Sequence, residues 1–335
     1  MWSYTLQRIV SLFPILLGVA VSTFLIIQLV PGDPVVVMLG ERATPERVEQ
    51  MRHELGLDRP LPVQFFRYLS RAVRLEFGRS LRTSQPVLDD LKRRFPATIE
   101  LTLAGMTAAV LAGLLFGTVA ALRKGSCWDV LAMIVTLVGV SMPVFWLGLE
   151  LIYWIAWLPA AGRTDLGLEP ARISGFLLLD SILSMDRAAF VAACRHLVLP
   201  GVALGAVSAA LIARMTRSSL LECLSRPYIQ AARSRGLGQW GILRHAARNA
   251  AVPVLTIIGL QSGALLGGAI LTETIFAWPG IGTYLVESIF HRDFPAVQGT
   301  VLLSATVFVG VNLIVDLICA VLDPRVRLSL TEKST

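Results

Sequence analysis

The chain has 335 residues, of which 55% are apolar and only 16% charged, and its formal charge is +7. Soluble domains carry about 25% Asp, Glu, Lys and Arg, so this balance excludes an ordinary soluble enzyme, and the apolar content excludes a disordered chain. Three of the 30 basic residues are lysines (Lys92, Lys124 and Lys333), and with this much apolar sequence the basicity points to a membrane, not to nucleic acid.

A bilayer core about 30 Å thick needs about 20 apolar residues of helix. Residues 9–30 supply a first span without a charge, and residues 28–33 make a poor signal-peptide cleavage site, so the span is retained. Residues 31–96 read as a small extracytoplasmic helical subdomain. Thr44 is an N-cap candidate ahead of Pro45 and Glu46, Gly56 is placed to end that helix, and residues 62–77 carry Phe65, Phe66, Leu69 and Val73 on a helical repeat. The twelve basic residues of this loop face nine acids, which describes a solvated surface.

Further spans fall at 97–122, 131–156, 197–219, 251–276 and 299–322, with Glu100, Glu150, Glu273 and Asp316 inside or at their ends. Pro143 should kink the third span, because proline removes a backbone hydrogen bond. Residues 173–183, interrupted by Asp180, are too short for a seventh span and read as an interfacial or loop helix. The glycine pairs Gly113/Gly117, Gly201/Gly205 and Gly263/Gly267 read as helix-packing surfaces, some against a second membrane subunit. The fold expected is all-α and polytopic: a first helix over 1–30, the subdomain over 31–96, a five-helix core over 97–325 and a tail over 326–335. Six spans put both termini on one side. Placing them inside gives thirteen Lys and Arg in the inner segments against five in the short outer loops, so the termini are expected to be cytoplasmic.

Ionisable groups within spans are costly and each invites a functional reading. For Glu273 two readings stand: a gate or helix-anchoring residue facing a pathway, or a carboxylate satisfied by backbone N–H groups and water. Asn312 and Asp316, four apart on one helix face, read as structural, with Asp316 bonded to a neighbouring helix or an arginine. The four cysteines and four histidines show no metal-ligand spacing.

Between spans four and five, residues 222–252 form a basic helix-turn-helix broken at Gly236 to Gly238, either a docking element or a loop that only fixes topology. Gln230-Ala231-Ala232 with Gly236 resembles the Glu-Ala-Ala-x-x-x-Gly loop of binding-protein-dependent ABC importer permeases. Blocks along most of the chain resemble the dipeptide/oligopeptide/nickel branch of that family. They are residues 31–34 (Pro-Gly-Asp-Pro), 95–100 (Phe-Pro-Ala-Thr-Ile-Glu), 141–146 (Ser-Met-Pro-Val-Phe-Trp), 214–218 (Arg-Met-Thr-Arg-Ser), 271–282, 312–316 and 323–325. The chain departs from the pattern at Gln230, where the wider family has Glu, and at Arg226-Pro227, where this branch carries an acidic pair.

The resemblance implies a type I ABC importer permease subunit in a bacterial inner membrane. It implies a second homologous permease, two cytoplasmic ATPase subunits that bind ATP and Mg, and an extracytoplasmic solute-binding protein. On the same basis Tyr228, Ala231, Ala232, Arg233, Arg235 and Gly236 are assigned to ATPase coupling. Ser141, Pro143, Phe145, Trp146, Glu273, Trp278, Pro279 and Gly280 are assigned to a translocation path or gate. None of the three lysines follows a glycine, so the chain has no phosphate-binding Gly-x-x-x-x-Gly-Lys loop and no enzyme activity or cofactor of its own is expected. Short peptides are favoured over nickel, since His53, Cys194, His196 and His291 lack paired spacing; glutathione remains an alternative cargo, and a stand-alone secondary transporter an alternative class.

Overall fold

The computed structural model describes residues 2–29, 35–36 and 43–322. The blocks at 31–34 and 323–325 and the 326–335 tail therefore lie outside the described residues. Among the described residues twelve helices run in chain order: α1 (Trp2–Leu29), α2 (Pro45–Leu55), α3 (Leu61–Val73), α4 (Val87–Leu122), α5 (Cys127–Ser141), α6 (Val144–Trp154), α7 (Leu177–Leu183), α8 (Arg187–Leu224), α9 (Pro227–Ser234), α10 (Gln239–Ile275), α11 (Ile281–Phe290) and α12 (Phe294–Leu322). Five are long and apolar enough to cross a membrane, and the bent pair α5–α6 makes a sixth candidate span. The side at which α1 begins is called the near face and the side at which it ends the far face.

The centre is the pair α4 and α8, which run parallel: Ala104 meets Gly201 near the far face and Gly117 meets Thr216 near the near face. Small residues let their backbones approach. A Cβ on Gly113 would lie 2.6 Å from Ile212 Cγ2, and one on Gly117 would lie 2.5 Å from the Ala213 carbonyl oxygen; Gly201 faces Ala104 and Gly205 faces Gly105 in return. These two glycine pairs thus pack within the chain. Of the third pair, Gly263 lies against Asn312, while a Cβ on Gly267 would meet nothing within 4 Å. α10 packs on α8, α12 on α10, and α1 on α12, where Arg8 and Asp316 pair at 3.1 Å. Of the apolar windows of these helices, 67% is buried in α8 against 17% in α1 and 11% in α12, so α8 is the core and α1 and α12 are the rim.

Two boundaries differ from the sequence reading. α4 runs unbroken for 36 residues, about 54 Å at 1.5 Å per residue, so the junction expected between 96 and 97 falls inside one helix that outruns the bilayer core. Pro143 does more than kink the third span. Met142, the residue before it, is extended (φ −85°, ψ 130°), Pro143 opens a new helix, and α5 and α6 meet at 115°. The cause is local: a proline ring drives the preceding residue out of the α region.

On the far face α2 has the ends its sequence announces, with Thr44 Oγ1 accepting from Arg47 N–H and Gly56 at φ 71°. α3 stops at Val73, four residues short of the expected end, and its four apolar residues share one helix face but differ in burial. Phe65 and Leu69 are half-buried, whereas Phe66 and Val73 are exposed. Residues 173–183 form only the seven-residue α7.

Candidate functional site

On the near face the chain turns back from α8 into α9. Proline occupies the first turn of α9, where a missing N–H costs nothing. Ile229 is wholly buried with Ala121, Leu220, Ile242, Ala246 and Ala250, and this one side chain roots α9 in the bundle. Tyr228, Gln230, Ala231, Arg233 and Arg235 are left exposed and Ala232 is half-buried. Gly236, at φ 79°, closes the helix: its N–H donates to the Arg233 carbonyl at 2.9 Å and the Leu237 N–H to the Ala232 carbonyl at 3.2 Å. A Cβ there would meet nothing within 4 Å, so glycine is required by the backbone conformation and not by space. α10 then starts at Gln239, and Trp240 in its first turn is 83% exposed. The sequence reading did not single out Trp240; a lone tryptophan in a basic helix start was the available signal.

Beneath this platform the Arg217 guanidinium grips Asp129 with two bonds of 2.8 and 2.9 Å, and Gly125 N–H adds a third to the same carboxylate at 3.0 Å. The bond ties α5 and the turn at 123–126 to α8. Arg217 lies in a quoted block, but nothing in the sequence paired it with Asp129.

On the far face Glu273 is fully buried near the end of α10. Its carboxylate accepts the Thr98 hydroxyl at 2.5 Å and the Gly282 and Thr283 N–H groups at 2.7 and 3.0 Å. Those amides are orphan donors of the first turn of α11, where the helix dipole also favours an anion. Thr98 in turn accepts from Ile281 N–H at 2.9 Å, and the buried Trp278 donates from Nε1 to the Ala97 carbonyl at 2.8 Å. One carboxylate therefore fastens α4, α10 and α11 together. Gly280 leaves room for it, since a Cβ there would collide with the Glu273 carboxyl group.

A second buried carboxylate adjoins this knot. Glu100 pairs with Arg163 and accepts from Leu178 N–H at 2.9 Å, while Arg163 lies over the Trp278 ring, 6.0 Å from its centroid. Asp180 is held by Ser174 N–H, the Ser174 hydroxyl and Gly175 N–H at 2.7, 2.6 and 3.0 Å. Burial works to raise its pKa, but these bonds outweigh burial and hold it below the ordinary carboxylate range. His196 is buried between the Gly162 carbonyl and Asp165.

The residues assigned to a path or gate fall into two groups. Glu273, Trp278 and Gly280 are interior to the knot, and Pro279 is at its exposed edge. Ser141, Pro143, Phe145 and Trp146 lie exposed at the α5–α6 bend, which reaches α10 only further along, where Gly148 meets Phe276. The structure does not bring the two groups together. The Trp278 indole is buried, engaged in packing and in the bond to Ala97. Asn312 packs on Gly263, and Asp316 has the arginine partner expected for it, Arg8.

A bundle of long apolar helices with a helical platform on one face and a polar knot on the other is the build of a multi-pass membrane protein. The family model for the binding-protein-dependent transport system inner membrane component matches residues 113–328, and the model for its N-terminal part matches residues 1–102. The chain belongs to this family. It is 44% identical to a dipeptide transport system permease protein of Alkalihalophilus pseudofirmus, over 98% of this chain and 100% of the relative. It is 46% identical to a di/tripeptide transport system permease protein of Pseudomonas aeruginosa, over 98% and 99%. A glutathione transport system permease protein of Escherichia coli is 37% identical over 98% and 99%.

Proposed function

We propose that the chain is one of two permease subunits of an ATP-driven importer and conducts short peptides released by an extracytoplasmic binding protein. The observation that carries this reading is the likeness over nearly the full length to permeases named for dipeptides and di/tripeptides. In this reading the termini and the near face are cytoplasmic. ATP and Mg bind to two separate ATPase subunits, and the chain itself holds no cofactor and performs no catalysis. The exposed surface of α9 with Gly236 receives the ATPase, with Tyr228, Ala231, Ala232, Arg233 and Arg235 as its contacts. The α5–α6 bend, with Ser141, Pro143, Phe145 and Trp146, lines the route beside the second permease, and the Glu273 knot acts as the fastening of an outer gate.

The mechanism follows from the geometry. α9 is rooted by Ile229 among residues of α4, α8 and α10, so a displacement of the platform acts on three long helices at once. Two of these, α4 and α10, are joined on the far face by the Thr98–Glu273 bond. Opening requires that bond, or its backing by Trp278, to loosen. The test is reconstitution of the whole complex in vesicles with labelled dipeptide, glutathione and nickel as separate cargoes. ATP-dependent accumulation of dipeptide, competed by other dipeptides and indifferent to nickel, is expected. Glutathione uptake without dipeptide uptake would replace the substrate, and uptake by this chain alone on an ion gradient would replace the class.

A further inference from the structure

α3 is amphipathic, yet none of its residues is buried. One flank leans on α1: the Phe65 and Tyr68 rings lie 5.5 and 5.8 Å from the Phe24 ring, and Gln28 donates to Gln64 at 3.2 Å. Another flank presents Val63, Phe66 and Val73 to the outside, the last two 68% and 78% exposed. These contacts are with the final turns of α1, a rim helix whose apolar window is only 17% buried, so α3 lies at the bilayer boundary. A helix with an exposed apolar stripe at that depth lies in the interface plane.

On the flank of α3 that carries Arg67 and Arg71 is a half-open cavity of about 990 Å³ lined by α1, α3, the segment 76–84 and the start of α12. Arg67, Arg71 and Arg79 line it, with Glu76 as the single acid of the lining. Among the described residues none of these three guanidinium groups meets a carboxylate, whereas Arg82 close by is taken by Glu287 at 2.6 Å. Tyr68 also lines the cavity, while its hydroxyl is shielded from solvent and has no hydrogen-bond partner among the described residues. Phe24 and Phe77 supply apolar wall.

We propose that this cavity binds the phosphate headgroup of an anionic glycerophospholipid, with Arg67, Arg71 and Arg79 on the phosphate and the acyl chains along Val63, Phe66 and Val73. Guanidinium forks suit phosphate oxygens, and clustered arginines at a membrane surface favour anionic lipid. A free phosphate shares the headgroup chemistry but leaves the apolar stripe unused. A peptide in transit is the weaker occupant, because the cavity borders the rim helices α1 and α12 and not the α4–α8 core. That the leaflet is the outer one rests on the orientation proposed above; the site does not.

The test uses the complete complex in nanodiscs of phosphatidylcholine doped with phosphatidylglycerol, followed by delipidation and mass spectrometry of the retained lipid. The wild-type complex is expected to retain phosphatidylglycerol about tenfold over phosphatidylcholine, and R67A/R71A/R79A to lose that preference. R67K/R71K/R79K should keep most of it, which separates a charge effect from misfolding, and Phe66→Gln with Val73→Gln should weaken it about threefold. Equal retention of the two lipids by the wild type, or an unchanged preference in the triple alanine variant, overturns the proposal. Displacement of the lipid by millimolar glycerol phosphate or by dipeptide also overturns it, in favour of a soluble-anion site or a substrate site.

Discussion

Removing the Glu273 carboxylate should unfasten the far face in a graded way. In Glu273→Ala, Gly282 and Thr283 keep buried N–H groups with no acceptor, and Thr98 loses its 2.5 Å partner. An unsatisfied buried donor costs about 1–3 kcal/mol, the hydroxyl is free to rotate, and the lost carboxylate leaves a void, so the total is about 3–5 kcal/mol. In Glu273→Gln one oxygen still accepts both α11 amides while the new NH₂ faces Thr98. Exchanging charged for neutral hydrogen bonds then costs only about 1–2 kcal/mol. The assay is thermal denaturation of the purified complex at fixed scan rate, with proteolysis in the α10–α11 connection as a local readout. The order wild type, Gln, Ala in falling stability is expected, with the connection cleaved soonest in Ala. A Glu273→Ala complex melting within about 1 °C of wild type, its connection equally protected, would refute the claim that this carboxylate joins α4, α10 and α11.

Gly236→Val should cost about 2 kcal/mol in α9 capping through its positive φ, and Gly236→Asn far less; substrate-stimulated ATP hydrolysis by the complex should fall in the first variant and persist in the second. Arg217→Ala should strand Asp129 and loosen the turn at 123–126, costing about 2–3 kcal/mol, which hydrogen exchange at Gly125 and Ser126 would register. The lowered pKa of Asp180 means that its contribution to stability is present above about pH 4 and disappears as the pH falls through the depressed value. Exchange protection at Ser174 and Gly175 should therefore survive at pH 5 and fail only in stronger acid, and Asp180→Asn should reduce it already at pH 5. A reporter after Thr335 and one near Arg82 should be found on opposite sides of the membrane, and a common side would remove the six-span topology.

What the sequence made legible was whatever depends on near neighbours along the chain. Apolar runs located the spans, Thr44 and Gly56 marked the ends of α2, and the small size of the 173–183 run kept α7 out of the membrane. Asp316 was readable as a paired group because a lone acid in an apolar helix needs a partner. The same reasoning stalled at Glu273, since its partners Thr98 and Gly282 come from two other elements, and their arrival decides between a solvated acid and a buried fastening. Glu100 was visible as a charge, but Arg163, 63 residues away in a loop, carried no signal that they would pair. The α5–α6 bend was underestimated because Pro143 alone does not reveal how far the chain turns after losing a hydrogen bond. Trp278 was assigned from its motif to a path or gate, and its burial against Ala97 had no signal in the sequence.

The length of α4 has a mechanical consequence. It is one rod that carries Ala121 in the near-face cluster and Thr98 in the far-face knot, and between them it bears closely on α8 at Gly105, Gly113 and Gly117. Taking Gly113 as the fulcrum, the near arm is about 12 Å and the far arm about 22 Å at 1.5 Å per residue. A tilt of about 10° that shifts Ala121 by about 2 Å would swing Thr98 by about 4 Å, more than the whole length of a hydrogen bond. The glycines therefore set a gear ratio as well as a packing distance. A bulkier residue at any of them would move or seize the pivot, leaving both ends of the rod chemically intact and mechanically disconnected.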